Sequence, residues 1–463
     1  MTRSIGPGAR RQPRRSPGLP ALAVLALALA ACGESTRLPA GADVGPRPAL
    51  AEPVRTLIPT AHVAEAKPWQ PGQAPTPAAG LQVNALADGL QHPRWLHVLP
   101  NGDVLVAETN APPRPDEGGG VKGWVMGKLM AKAGSSGPSA NRITLLRDAD
   151  GDGRAEQREV FVQGLNSPFG MALVGDRFYV AATDAVWEYA YTPGQTQLGA
   201  PLRKLADLPA GTRNHHWTKS LIASPDGSHL YATVGSNSNV GENGMEAEAG
   251  RAAVWEIERS SGSKRLYATG LRNPNGMAWM PAPEGGAQRQ PPSLWVVVNE
   301  RDELGSDLVP DYLTSVQDGG FYGWPYSWWG PHQDPRPRPA RPDLVARALV
   351  PDYALGAHVA ALGLAAAGSS TVLQRLPGAA AQGVFIGMHG SWNRKPFAGY
   401  KVVYLPFDKG RPRGAPVDVL TGFLGPDDAA HGRPVGVAVD TRGALLVADD
   451  VGNTVWRVTP DPR

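Results

Sequence analysis

Residues 215–236 read HHWTKSLIASPDGSHLYATVGS: a polar approach, a short apolar run, a turn at Ser224-Pro225-Asp226-Gly227, and a second apolar run that ends in small polar residues. Pro225 presets the φ of a turn and Gly227 supplies the positive φ that closes it, so the two runs read as an antiparallel hairpin with Leu230 to Val234 as its clearer strand. The same plan recurs at 89–109 (GLQHPRWLHVLPNGDVLVAET), 164–183 (GLNSPFGMALVGDRFYVAAT) and 432–450 (GRPVGVAVDTRGALLVADD). Two split copies join them, GLRNPNGMAWMP at 270–281 with LWVVVNE at 294–300, and HVAALGLAAAG at 358–368 with GVFIGMHG at 383–390. Six copies of one hairpin predict an all-β chain, a six-bladed β-propeller whose small sheets bury their faces against their neighbours. The copies are unevenly spaced, so several blades must carry long loops. A less regular β-sandwich is the other all-β arrangement, but it does not account for the repetition.

Composition agrees. The chain has 463 residues, 42% of them hydrophobic, with 56 glycines and 46 prolines. That is enough apolar material for a sizeable core, punctuated as many short strands and turns would be. The formal net charge is +3, yet Arg3, Arg10, Arg11, Arg14 and Arg15 lie in the first 31 residues, which hold no Asp or Glu. Taking those five from the 45 basic residues leaves 40 against 42 acidic ones, or −2. A nucleic-acid partner loses its electrostatic support.

That leader has the form of a secretory signal, Arg-rich over 1–15 and apolar over 19–31 (LPALAVLALALAA), too short to cross a bilayer comfortably. Leu29-Ala30-Ala31-Cys32 resembles a bacterial lipobox, which implies acylation of Cys32 and anchoring at the periplasmic face of a membrane. The outer membrane is favoured because Gly33 is not acidic. Ordinary signal cleavage beside an incidental cysteine is the plainer alternative. Cys32 is the single cysteine, so no intramolecular disulfide can form. Residues 32–80 are rich in Ala and Pro without periodicity and read as a tether, leaving 81–463 as the propeller domain.

Two insertions interrupt the blades. Residues 110–141 contain VKGWVMGKLMAKAG, where Trp124, Leu129 and Met130 would line one face of a short helix, packed over the propeller mouth or touching a membrane. Residues 302–344 are rich in Trp and Pro.

Asp148, Asp150 and Asp152, then Gly153 and Glu159, fit the spacing D-x-D-x-D-G-x5-E. Alternating carboxylates about a sharp glycine turn can surround one calcium ion with hard oxygens. The flanks, ITLL and VFVQGL, look like strands and not like the paired helices of an EF-hand. A structural calcium loop between two blade strands is the reading, and a solvated acidic turn the alternative. His215 and His216 are candidates for a base, since imidazole takes up a proton near neutral pH when a partner orients it.

The run at 215–235, the turn GLRNPNG, NERDELGSD at 299–307, FYGWP at 321–325, FIGMHGSWNR at 385–394 and RPVGVAV at 433–439 together resemble the glucose/sorbosone dehydrogenases. These are pyrroloquinoline quinone enzymes built on six-bladed propellers, and the resemblance runs through nearly all of 81–460. It implies His216 as general base, taking a sugar hydroxyl proton as hydride passes to the quinone. It implies Arg272, Asn273, Tyr322, Trp324, Arg394 and Arg433 around the cofactor, with Arg272 also stabilising charge that develops on it. Arginine forks suit a cofactor with three carboxylates. The chain departs from the family's G-D-Q-G at Gly235-Ser236-Asn237-Ser238, and from its S-L-K turn near Arg394. Both departures favour the sorbosone-like branch.

The expected activity is oxidation of an aldose or sorbosone-like sugar with pyrroloquinoline quinone and calcium, electrons leaving to a periplasmic acceptor. A calcium-dependent propeller hydrolase of the lactonase kind is the rival, with Glu108, Asn237, Asn273, Glu300 and Asp449 as candidate ligands. A non-catalytic binding propeller is a third.

Overall fold

The computed structural model describes residues 1–2, 34–56, 60–115, 127–135, 137–282 and 291–462. The six hairpins become the first two strands of six sheets. In chain order these are Pro93–Val98 with Val104–Glu108, Gly170–Val174 with Arg177–Ala181, Leu221–Ala223 with His229–Val234, Asn273–Met280 with Ser293–Asn299, Ala361–Ala366 with Gly383–Met388, and Pro434–Val439 with Leu445–Asp449. Further strands complete every sheet, and the result is the six-bladed β-propeller expected from the repeats. The second strands are covered on both faces by neighbouring blades. VLVAE, GVFIGM and LLVAD are accordingly buried from end to end, and read as unbroken apolar runs.

First strands of successive blades meet at the axis. A Cβ on Gly276 would lie 2.5 Å from the Leu364 backbone nitrogen, and one on Gly363 would lie 2.2 Å from the Val435 carbonyl oxygen. Backbone touches backbone there, and only glycine fits. The ring closes by pairing its two ends: Leu81–Ala87 runs antiparallel to Thr454–Pro460, with Leu81 opposite Pro460 and Ala87 opposite Val455. No long sheet edge is left open between the last blade and the first.

The segment read as a tether is instead bound along the propeller over its described part. Val44–Gly45 extends the fourth sheet beside Leu355 and Ala354. Glu65–Ala66 runs parallel to Ala429–Ala430, and Thr76–Pro77 extends the fifth sheet against Leu420 and Thr421. Trp69 donates from Nε1 to Asp449 at 2.8 Å and sets its ring edge-on to Phe423 and Trp456. Two-residue strands carry no periodicity, so composition alone shows only a Pro-rich coil. Cys32 and Trp124 lie outside the described residues.

In each hairpin the start of the first strand faces the end of the second: Pro93 opposite Glu108, Gly170 opposite Ala181, Asn273 opposite Asn299, Pro434 opposite Asp449. One end of the ring therefore gathers the residues that precede every first strand and follow every second, and forms the mouth. His92, Ser167, Asn214 and His358, each just before a first strand, have φ of 55°, 46°, 33° and 60°. Such left-handed conformations are costly with a Cβ and gather where structure holds function. The 110–141 insertion also lies at this end. Arg114 Nη1 donates to the His215 carbonyl at 3.0 Å, and a Cβ on Gly134 would meet Ala66 at 2.9 Å and Val451 at 3.6 Å. Its described part includes a helical turn at 127–132 with Leu129 and Met130 half-buried.

Candidate functional site at the propeller mouth

His216 stands just before the first strand of the third blade, and its imidazole is oriented by the loop that follows the second. Nδ1 lies 2.9 Å from the Ser236 carbonyl oxygen and 3.0 Å from Ser236 Oγ. The hydroxyl itself donates to the Ser238 carbonyl at 2.7 Å, so both Ser236 oxygens act as acceptors and Nδ1 carries the proton. Nε2 is left as a free base. Burial, then the positive fields of His215 and Arg272, push the His216 pKa well below the ordinary histidine value, which keeps the ring neutral. Gly235 makes the arrangement possible, since a Cβ there would lie 2.5 Å from His216 Cβ and 2.4 Å from Asn273 Oδ1. His215 is exposed, its ring nearly perpendicular to that of His216 and 4.6 Å away.

Arg272 follows a different course from the one the family resemblance implies. Its guanidinium is buried and already committed: Nη1 to the Glu300 carbonyl at 2.6 Å, Nη2 to Asp302 at 2.9 Å and to Asn239 Oδ1 at 3.0 Å, Nε to the Asn239 carbonyl at 3.3 Å. It builds the wall between the third and fourth blades, and Trp324 joins the same wall by donating from Nε1 to the Asn239 carbonyl at 2.9 Å. Tyr322 is not at the mouth. It is packed into the aromatic core with Tyr312, Trp328 and Trp329, its hydroxyl donates to the Ser315 carbonyl at 2.6 Å, and burial pushes its pKa up to about 12. Asn273 lies beside His216, with Oδ1 buried and without a hydrogen-bond partner.

The remaining two arginines differ from each other. Arg394 is held by Asp43 at 3.0 Å and the Ala357 carbonyl at 2.9 Å, so it anchors the N-terminal segment. Among the described residues Arg433 has no such partner. It is 4% exposed, yet Nε and Nη2 make no hydrogen bond, and the guanidinium carbon sits 5.1 Å from the centre of the Tyr400 ring. Beside it Asp450 gathers residues that sequence reasoning passed over: Arg94 Nη1 at 2.6 Å, His389 Nε2 at 2.9 Å and, more distantly, His92 Nε2 at 3.7 Å. Burial alone would raise the Asp450 carboxyl, but His389, His92 and Arg94 outweigh it and hold the group ionised far into acid. The signal for Arg94 was its place in the turn-like HPRWL of the first copy.

At the opposite end of the first blade, Asp148, Asp150, Asp152 and Glu156 bring carboxylate oxygens within 4.8 Å of one another. The fourth is Glu156 and not Glu159, because the strand Gln157–Gln163 has begun by then and pairs Glu159 with Leu145. The loop joins the third and fourth strands of that blade at the end remote from Glu108. It also touches the ring closure, since Asn84 Nδ2 donates to the Gly153 carbonyl at 2.7 Å and Arg442 pairs with Asp148 at 3.0 Å.

Comparison with known proteins follows the same lines. A family described as TrAA12-like matches residues 345–461, and a domain of unknown function, DUF7133, matches 78–279. The holo pyranose dehydrogenase PQQ domain from Coprinopsis cinerea superposes with a TM-score of 0.62 at 22% identity, over 86% of this chain and 100% of that one. The calcium structure of the Trichoderma reesei AA12 enzyme gives 0.64 at 18%, over 87% and 99%, and the PQQ-bound aldose sugar dehydrogenase from Streptomyces coelicolor 0.50 at 17%, over 83% and 99%. The chain is structurally similar to the PQQ-dependent sugar dehydrogenases. At these identities the likeness establishes the fold. Among curated sequences, an uncharacterized protein of Borreliella burgdorferi is 24% identical over 64% of this chain and 76% of its own length. The full-length Coprinopsis PQQ-dependent pyranose dehydrogenase is 24% identical over 73% of this chain, a match that spans 45% of that protein.

The rival hydrolase ligands do not all stand ready on this sugar-dehydrogenase-like fold. Glu108 is engaged by Arg142, Thr144 and the Gln91 backbone, and Asp449 by Trp69, Trp456 and the backbone of Arg433 and Gly452. Asn237 Oδ1 accepts from the His215 backbone at 3.1 Å. Asn273 Oδ1 and Glu300 Oε1 alone among the five candidates keep a buried oxygen without a partner.

The Arg272 geometry makes a prediction. If this guanidinium is wall and not ligand, Arg272→Ala should cost about 3–5 kcal/mol of stability in chemical denaturation, because it strands Asp302 and the two carbonyls. A loss below about 1 kcal/mol would show that these contacts contribute little.

Proposed function

We propose that the chain is a pyrroloquinoline quinone-dependent dehydrogenase that oxidises an aldose or a sorbosone-like hydroxy-aldehyde, with His216 as its general base. The observation that carries this reading is Arg433: a buried guanidinium with, among the described residues, no anionic partner and two orphaned N–H donors, on the same mouth as a neutral, oriented imidazole. Buried charges are ordinarily paired, so an unpaired one invites an anion. A carboxylate of the quinone fits that demand. The relatives named above for PQQ support the same assignment, whereas Arg272 and Arg394, engaged elsewhere, do not contribute to it.

When bound, the quinone would supply the two-electron acceptor for hydride from the sugar carbon. The chain supplies the rest. His216 Nε2 takes the hydroxyl proton of the substrate, and Ser236 fixes the ring so that this nitrogen, and not Nδ1, is the free one. Asn273 Oδ1 and Glu300 Oε1 are buried acceptors that could serve a hydroxyl donor or a hard cation. The same pair of oxygens is the support for the calcium hydrolase as a second reading.

Calcium in the acidic loop of the first blade is assigned a structural role, because that loop lies at the end away from the mouth and abuts the closing strand. The signal-like leader and the lipobox-like Leu29 to Cys32 support export and lipid anchoring at the periplasmic face of a membrane.

Three tests follow from this assignment. His216→Ala should lower sugar-dependent quinone reduction by about 10²–10⁴-fold, the usual contribution of a general base, with His215→Ala far milder. Because the His216 pKa is depressed, protonation switches the base off only below the ordinary 6.5, so the wild-type rate should hold as pH falls through that value and drop further down. Equal rates for His216→Ala and wild type on a verified substrate would remove His216 from the mechanism.

Calcium at about 100 times its Kd should stabilise the wild type by about 2.7 kcal/mol. Asp150→Ala should lose that increment and keep hydride transfer; identical calcium dependence of the two melting temperatures would reject the loop as a site. For the anchor, labelled fatty acid should enter the wild type and not Cys32→Ala, which should be released in soluble form. A wild type that never takes up label has no lipid at Cys32.

A further inference from the structure

His216 is held by the loop that follows the second strand of the third blade, and that loop is itself held. Gly235 lets it pass close to His216, Ser236 faces Nδ1, and Asn239 is fixed by Arg272 and by Trp324. Between these anchors stand Asn237 and Ser238. Both give a hydrogen-bond donor to one side chain: the Asn237 backbone nitrogen lies 2.7 Å from Glu248 Oε2, and the Ser238 hydroxyl donates to Glu248 Oε1. Glu248 ends a helical turn, Met245–Glu248, and is 5% exposed. The chain doubles back to bring it there, through left-handed φ of 84° at Gly241 and 88° at Gly244 that suit glycine.

The contacts run in one direction. His216 Nδ1 donates to Ser236, Ser236 Oγ donates to the Ser238 carbonyl at 2.7 Å, and the Ser238 hydroxyl donates to Glu248 while accepting from the Gly241 backbone at 2.8 Å. Each hydroxyl has one proton and has spent it away from His216, so what faces the imidazole can only accept. An ionised carboxylate is a fitting terminus, because both of its oxygens accept and neither donates. Burial raises the Glu248 pKa above the ordinary glutamate value, and the Asn237 and Ser238 bonds and the charge of Arg251 oppose the rise. The same segment is where the chain departs from the family's G-D-Q-G. Position 236 is serine, and this carboxylate comes from a residue further along the chain.

We propose that Glu248 is the positioning residue of the general base, clamping Asn237 and Ser238 so that Ser236 stays in place as the acceptor for Nδ1 and Nε2 remains the basic nitrogen. This deepens the His216 reading and rests on it for its part in catalysis. Glutamine has nearly the shape of glutamate but carries one oxygen and one NH2 group. It can accept from Asn237 or from Ser238, and must meet the other donor with a donor. Filling the space in the loop is therefore separable from ordering its hydrogen bonds. Glu246 lies exposed on the same helical turn and provides a matched control.

The imidazole itself reports the outcome, without any cofactor. In full-length apo-protein labelled on its histidine nitrogens for nuclear magnetic resonance, at about pH 8 so that carboxyl groups are ionised, His216 should show a slowly exchanging Nδ1–H and an unprotonated Nε2. Both signals are identified by their loss in His216→Ala. In Glu248→Gln the Nδ1–H should exchange with water about tenfold faster, and sugar-dependent kcat should fall about tenfold at unchanged KM, the order of one hydrogen bond to a charged acceptor. Glu246→Gln should match the wild type in both. Ser238→Ala removes the other end of the link, so the double variant should be no worse than Glu248→Gln alone; effects that multiply refute the link. Should Glu248→Gln not fold, Ser238→Ala carries the test. Wild-type exchange and wild-type kcat in either single variant overturn the proposal. Glu248-dependent exchange in a protein whose sugar oxidation is indifferent to His216→Ala keeps the clamp and overturns the base reading.

Discussion

Six first strands have to share one axis, and the room there decides what each part of the chain is allowed to be. Backbones approach so closely that Gly276 and Gly363 cannot carry a side chain, and nothing chemical can be housed at that depth. Polar and charged groups are displaced to the strand ends. Because every hairpin has the same polarity, one end collects two loops from each of six blades, and His216 comes to lie beside Asn273, and Arg94 beside Asp450, although the chain separates the members of each pair widely. The strained φ values before four of the first strands arise at the same place. The mouth is the consequence of packing the axis, and its chemistry is whatever the loops bring.

What distinguishes the cations of this mouth is their partners. Arg272, Arg394 and Arg433 all look alike as arginines beside turns, yet among the described residues one is engaged by Asp302, Asn239 and Glu300, one by Asp43 and Ala357, and one meets a tyrosine ring without a hydrogen bond at Nε or Nη2. A residue type in a loop states a capacity to bind. Whether the capacity is available depends on side chains contributed from other blades and from the N-terminal segment, and Asp43 is more than three hundred residues from Arg394.

Hairpins with turn residues at fixed offsets repeat locally, so six blades, and their innermost strands, were legible in 89–109 through 432–450. The acidic loop was legible as a motif, but its fourth carboxylate moved from Glu159 to Glu156 because a strand starting at Gln157 takes Glu159 out of the turn. Tyr322 belongs to a Y-G-W sequence that invites a ligand, whereas the nearest unmet demand was the core around Tyr312 and Trp328. Arg94 was hidden for the converse reason: only a one-residue bulge, a matter of pairing with Ala107, turns it to the mouth. Residues 34–79 hid their role because their contacts are two-residue pairings and single anchors such as Trp69, none of which leaves a period.

A buried donor without a partner costs about 1–3 kcal/mol, and Arg94 and Arg433 carry three such N–H groups between them. The sum, on the order of several kcal/mol, is a sizeable part of the 5–15 kcal/mol by which a domain is usually stable. Elsewhere in this molecule comparable arginines are satisfied in full: Arg301, wholly buried, is met by Glu300, Asp334 and two carbonyls. A fold that satisfies Arg301 so completely and leaves Arg433 bare is not short of carboxylates in general. It lacks one beside Arg433, and under the proposed quinone reading the free energy withheld from folding there would become available to binding an anion.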